Sequence, residues 1–360
     1  MTEPAKDEAP RIAIAATPHS ATADHVWRWQ STAPAESAQA SVEKHPDLAS
    51  ALASLDDFEA DLVAVAATEW YAIHPEREPD GLQVATALPR RDENHVLIAE
   101  DRIDHLPHKA VILSRGRLAR RQLRRYRDDF RVLSPKAFAD EYGLPSPVEM
   151  QGVELVDCLE SLRAAGTIDG YVTSLHLFDE SGAGGRRHRL FTDPNEVDDM
   201  RFLPSPLHGL TLLITRVGFP LALAEKLGDK EAHTAWQCER ILLFSQEPGH
   251  RDRIGMVVRH RQVASLLRRA DEERDLLRAQ ALLDEEGEVR DYETKVEIII
   301  EAVSRRGDRT LLHERLMPIS EALPVTRVMA GEWRTMVREI LAPHEAHPRH
   351  GEACPPFMDL

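Results

Sequence analysis

Between Asp61 and Ala67 the chain reads Asp-Leu-Val-Ala-Val-Ala-Ala, a short run with no polar face. A half-exposed strand alternates apolar and polar side chains, whereas a continuous apolar run of this length reads as a strand covered on both faces. Such a strand asks for helices above and below it, so it confines the chain to α/β architectures. The run ends in Thr68-Glu69-Trp70-Tyr71 and a turn through Pro75, Pro79 and Gly81, after which Leu82–Leu88 reads as a second strand closing on Arg90-Arg91-Asp92. In open α/β sheets, ligands gather at the carboxyl ends of the strands. Glu69 is therefore the candidate for acid–base chemistry, and Arg90 and Arg91 are candidates for anion contacts. The plainer reading of the same residues is a solvated loop carboxylate beside ordinary surface charge.

The rest of the chain repeats the demand. Arg11–Ala16 reads as a strand broken at Thr17-Pro18, followed by helices at Asp24–Gln30 and Asp47–Leu55, with 31–42 between them as an Ala- and Ser-rich loop. A second unit starts near His108. Val111–Leu113 is its first strand, ending in Ser114-Arg115-Gly116, and Leu118–Tyr126 is a strongly basic helix. Phe130–Leu133 is the next strand. Val153–Ala165 carries Val153, Val156, Leu159 and Leu162 on one face, and the chain returns as a strand at Tyr171–Thr173. The same β-α-β plan twice predicts two similar α/β lobes with a ligand cleft between them. Gly182–Arg189 lacks the strand-to-helix context of a phosphate loop and reads as a linker. Leu210–Thr215 reads as a strand, with helices at Leu221–Lys226 and Glu231–Phe244. In the last third, strands at Met256–Val258, Ala281–Leu283 and Thr294–Ala302 flank a charged helix, Val263–Leu277, and Glu332–Leu341 closes a small α+β domain.

Charge narrows the function classes. A net charge of −16 over 360 residues argues against nucleic acid as partner. The sequence shows neither an apolar signal core nor a run approaching the ~18 residues of a membrane span, which gives a cytoplasmic monomer without membrane contact as the expectation. The 3 cysteines, Cys158, Cys238 and Cys354, form no CxxC pair, and the 17 histidines form no HExxH, so neither a disulfide framework nor a metal site is expected.

Taken in order, these features resemble the hydroxymethylbilane synthase (porphobilinogen deaminase) family. The likeness is carried by Arg11–Ala13 with Thr17-Pro18, by Pro79-Asp80-Gly81-Leu82 with Arg91-Asp92, and by Ser114 through Asp129-Phe130 with Gln122-Leu123 in step. Gly152–Leu162, Leu203-Pro204 with Gly209, and Cys238-Glu239-Arg240 complete it. The resemblance implies two periplasmic-binding-protein-like α/β lobes around a cleft plus a small C-terminal α+β domain. In residue numbers this gives a first lobe over 10–105 with about 200–230, a second over 108–198, a C-terminal domain over 231–342, and loose tails at 1–9 and 343–360. It implies a transferase that condenses porphobilinogen head to tail on a cysteine-linked dipyrromethane. Glu69 would be its catalytic carboxylate, and Thr17, Arg90, Arg91, Ser114, Arg115, Arg117, Arg120 and Arg121 would hold a small anionic pyrrole-type molecule.

The sequence departs from that pattern at the residues the reaction needs. Glu69 stands for an aspartate, Ala15 and Cys158 for arginines, and Leu118 and Ala119 for a pair of arginines unless the register shifts to Arg120 and Arg121. The attachment cysteine is absent where Glu247–Arg251 runs. The alternative is therefore a non-catalytic protein that keeps the cleft and binds a small anion. For the basic helix itself, a solvated face is the plainer alternative.

Overall fold

The computed structural model describes residues 12–17, 22–32, 40–74, 78–91, 95–144, 150–190, 202–342 and 356–360. The chain divides into two compact units, Met1–Asp92 with Leu207–Arg240, and Glu93–Pro206 with Ile241–Leu360.

The first unit runs β1 (Ile12–Ala16), α1 (Thr22–Thr32), β2 (Ala40–Lys44), α2 (Leu48–Asp56), β3 (Leu62–Ala66), α3 (Ala67–Ile73) and β4 (Leu82–Leu88). The strand β10 (Thr211–Arg216) and the short helix α8 (Leu221–Glu225) also belong to it, as does α9 (Lys230–Phe244) up to Arg240. Every residue of β3 is buried, as its unbroken apolar run requires. The sheet order is β2-β1-β3-β10-β4, with β1 parallel to β2 and β3, and β10 antiparallel to β3 and β4. Ile12, Ile14, Val26, Leu62, Leu88, Leu213 and Leu227 form the main core cluster. Asp61 pins the base of the sheet by accepting from the Ala13 amide at 3.0 Å.

The second unit repeats this plan with β5 (His95–Ala99), β6 (Val111–Ser114), α4 (Arg117–Tyr126), β7 (Arg131–Leu133), α5 (Pro135–Tyr142), α6 (Gly152–Ala164), β8 (Gly170–Ser174), α7 (Leu175–Ser181) and β9 (Arg187–Arg189). The order β7-β6-β8-β5-β9 has parallel strands at one side and the antiparallel β5 in fourth place, where β10 stands in the first sheet. Leu97, Ile112, Leu123 and Phe130 cover one face, while Val96, Leu113, Phe138 and Tyr171 cover the other. At Gly170 a side chain would bring its Cβ within 2.9 Å of the Ile98 carbonyl, so this crossing point of β8 and β5 takes only glycine.

The same unit ends in a three-stranded antiparallel sheet, order β11-β12-β13, with β11 (Ile254–Arg261), β12 (Lys295–Val303) and β13 (Thr310–Pro318). The helices α10 (Val263–Glu273), α11 (Leu276–Leu282) and α12 (Ala322–Leu341) accompany it. The architecture is thus mixed α/β in two lobes of one plan, with a small C-terminal sheet-and-helix region. Among the described residues no helix is long and apolar enough to cross a membrane.

Several local expectations are corrected. Ala281–Leu283 is not a strand. Asp275 accepts from the Arg278 amide and caps α11, which carries the chain through Leu282, and Leu283 forms only an isolated bridge with Val289. The segment after β3 is not a loop, because the strand passes directly into α3 at Ala67. The supposed loop 31–42 ends in β2, and the linker Gly182–Arg189 ends in β9, a basic edge strand on β5.

Candidate functional site

In each lobe the chain leaves the first parallel strand in one direction and returns to its other side. β1 leads to β2 on one flank and β3 lies on the other, while β6 leads to β7 and β8 lies opposite. The carboxyl ends of β1 and β3, and of β6 and β8, are therefore the topological switch points where open sheets leave a crevice.

At the first switch point stand Thr17 and Glu69. The Thr17 amide donates to the Ala64 carbonyl at 3.2 Å, which holds the residue against β3. Its hydroxyl, wholly buried, donates to Glu69 Oε2 at 2.9 Å. Glu69 lies in the first turn of α3 and is half-buried. The next two residues pack inward. Trp70 is fully buried, and the Tyr71 hydroxyl accepts from the Trp236 indole at 3.1 Å, with burial pushing the Tyr71 pKa up to about 12.

At the second switch point Ser114 ends β6, buried, and Ser174 ends β8 and caps α7 by accepting from the Leu177 amide at 3.4 Å. Between Ser114 and α4 lies Gly116, the N-cap, which offers no side-chain oxygen to the first amides of that helix. Arg115 and Arg117 are exposed on either side of it, and Arg117 reaches Asp252 at 3.2 Å. Arg120 turns back to donate to the carbonyls of Ser114 at 2.7 Å and Arg115 at 2.8 Å. Ser174 directly follows the strand read at Tyr171–Thr173, so, like Glu69, it stands at a carboxyl end where open sheets take up ligands.

The rest of the basic helix faces inward. Arg121 donates to the Val303 carbonyl at 2.7 Å, and Arg124 donates to the carbonyls of Arg305 at 3.0 Å and Val132 at 2.6 Å. Arg125 is paired with the buried carboxylate of Glu301 at 2.7 Å, whose other oxygen accepts from Gln122 at 2.8 Å. Burial lowers the Arg121 pKa to about 10, with Arg253 adding to the effect. These guanidinium groups join α4 to the C-terminal sheet instead of forming a solvated face.

Arg90 and Arg91 end β4 in a third place. Arg90 donates to the His208 carbonyl and pairs with Glu239, whose side chain is fully buried and whose second oxygen accepts from the Leu207 amide at 2.6 Å. The Arg91 amide donates to the Gly209 carbonyl at 3.0 Å. Gly209 has φ +72°, and a Cβ there would stand 2.5 Å from the Arg91 carbonyl, so the turn is built for glycine. Sequence reasoning placed Leu203–Gly209 and Cys238–Arg240 in separate motifs. In the fold Leu207–Gly209 and Glu239 form one clamp with Arg90.

The described cysteines do not suit a covalent primer. Cys238 is fully buried on α9, and burial pushes the half-buried Cys158 thiol upward, away from the reactive thiolate. Cys354 lies outside the described residues. Among the described residues no group of three His, Cys, Asp or Glu side chains could hold a metal ion.

No protein-family model matches the chain, and no curated protein does. Solved structures give a distant likeness. The ligand-binding component of an ABC-type import system from Staphylococcus aureus, with zinc bound, is 13% identical with a TM-score of 0.31, over 64% of this chain and 72% of that one. Lipoprotein Tp32 from Treponema pallidum is 10% identical with a TM-score of 0.32, over 62% and 92%. A periplasmic substrate-binding protein of an ABC transporter from Coxiella burnetii is 10% identical with a TM-score of 0.34, over 61% and 93%. Likeness at this level carries no argument about a ligand, and the fold above rests on strand order. Two expectations are nevertheless corrected. The expectation of tetrapyrrole synthesis is set aside, because no family model matches the chain and neither described cysteine suits a covalent primer. The cytoplasmic location is set aside too, because it rested only on an absence.

Proposed function

We propose that this is a non-catalytic binding protein for a small organic anion, taken up at the switch point of the second lobe. The observation that carries the reading is the uncapped start of α4, where Gly116 leaves the first amides of a ten-residue helix without a side-chain acceptor. Those orphan donors and the positive end of the helix dipole favour a carboxylate or phosphate. The exposed Arg115 and Arg117 add charge, and the hydroxyls of Ser114 and Ser174 stand at the ends of the two strands that meet there. In the first lobe the Thr17–Glu69 pair presents an acceptor carboxylate and suits a hydrogen-bond donor.

Titration of the protein with acetate, succinate and inorganic phosphate, followed by calorimetry and by melting temperature, tests the reading. At least one anion is expected to bind, and Arg115→Ala is expected to weaken it about tenfold, the scale of one charge-assisted hydrogen bond. Absence of binding by all three anions, or binding indifferent to Arg115, overturns it.

A further inference from the structure

A groove of about 660 Å³ lies in the second unit, and none of the switch-point residues lines it. One wall is a stripe of α12, Gly331, Arg334, Thr335, Arg338 and Leu341, with Ala342 just past the end of the helix. Their spacing of three and four residues places them on one helix face. The other wall follows α9, with Ser245, Gln246, Glu247 and His250, so one carboxylate faces the two arginines among the lining residues.

Three features of this groove point to a ligand. First, the Arg334 and Arg338 side chains are exposed, and among the described residues neither guanidinium has an ion-pair or hydrogen-bond partner. Two guanidinium groups one helical turn apart converge well on a dianion. Second, Gly331 sits inside a 20-residue helix, where glycine weakens the helix, yet a Cβ built on it meets nothing within 4 Å. The protein's own packing therefore does not require glycine there, and its effect is to leave the groove open. Third, the apolar Val337, Leu341 and Ala342 border the same space, which is of the size that takes a small organic molecule.

We infer that this groove binds a small phosphomonoester or similar dianion, with Arg334 and Arg338 on the charged group and the Leu341 end against its apolar part. The probe is phenyl phosphate, which carries both halves, with benzyl alcohol as the uncharged control. Because the site proposed at the start of α4 would also take a phosphate group, the calorimetric titration is made on the full chain carrying Gly116→Asp, and it is expected to show binding of phenyl phosphate and none of benzyl alcohol. Arg334→Ala with Arg338→Ala is expected to weaken binding at least tenfold.

Because Gly331→Leu puts a strong helix former in open space, it is expected to raise the melting temperature while blocking the groove. No binding by the Gly116→Asp protein overturns the inference, as does binding that survives both groove variants made in that background.

Discussion

The Thr17 hydroxyl donates to Glu69 Oε2 at 2.9 Å, joining the ends of β1 and β3 across the first lobe's switch point. The two residues are 52 positions apart in the chain, and parallel pairing of Ile14–Ala16 with Leu62–Ala64 brings them together. Thr17→Val keeps the buried shape and removes the donor. Because Glu69 is half-exposed, water can replace that donor. The expected loss is about 1 kcal/mol of unfolding free energy, read by urea denaturation. A loss above about 3 kcal/mol would mean that Glu69 depends on this one donor.

The Arg125–Glu301 pair behaves differently because both side chains are nearly inaccessible, at 9% and 2% exposure. Arg125→Ala leaves a buried carboxylate with only Gln122 at hand, and the expected cost is about 3–5 kcal/mol. Replacing the pair together, Arg125→Met with Glu301→Leu, is expected to recover most of that loss, since the desolvation of both charges disappears. Denaturant midpoints of the single and double variants check this. Equal losses would show that α4 is held to the sheet by something other than charge.

How much of this was legible in the sequence depends on what each element rests on. The strands β1, β3 and β6 were readable because burial on both faces demands continuous apolar runs, and β12 because most of it is apolar. The edge strands β2 and β9, Ala-Ser-Val-Glu-Lys and Arg-His-Arg, were not, since backbone pairing holds them and most of their side chains face solvent, with only Ala40 and Val42 packing on the core cluster. The basic helix was legible as a helix, but its destination was not. Nothing near Arg121 or Arg125 announces that Val303 and Glu301 lie against them from some 180 positions away. Likewise Arg90 reads as an anion contact or as plain surface charge until α9 brings the buried Glu239 to it.

His25 gives the fold an acid limit. Its Nδ1 lies 2.9 Å from Thr211 Oγ1, and burial, with Arg91 adding to it, lowers its pKa from 6.5 to about 3. The unfolded chain therefore binds a proton below pH 6.5 that the folded chain refuses until about pH 3. Stability falls as pH drops through that window, by up to about 1.4 kcal/mol per pH unit from this group. Between pH 7 and pH 5 the wild type is expected to lose about 2 kcal/mol more than His25→Asn, compared by urea midpoints. Parallel pH profiles for the two proteins would show that His25 is not the group responsible.

Gly116→Asp separates the stability of α4 from its proposed ligand. The backbone at Gly116, φ −68° and ψ 127°, is already that of an N-cap. A Cβ there meets Ala119 Cβ at 3.8 Å and Ser114 Oγ at 4.0 Å, ordinary contacts that leave room for the side chain. The aspartate carboxylate would accept from the free amides at the start of the helix and sit at the positive end of its dipole, for a gain of about 0.5–1 kcal/mol. The same carboxylate occupies the position proposed for an external anion and repels it. A variant that melts higher yet no longer responds to acetate, succinate or phosphate is therefore the expected outcome. Anion binding that persists at full strength beside this aspartate would move the site away from α4, because a helix start already satisfied by its own side chain has no donors left for a second acceptor.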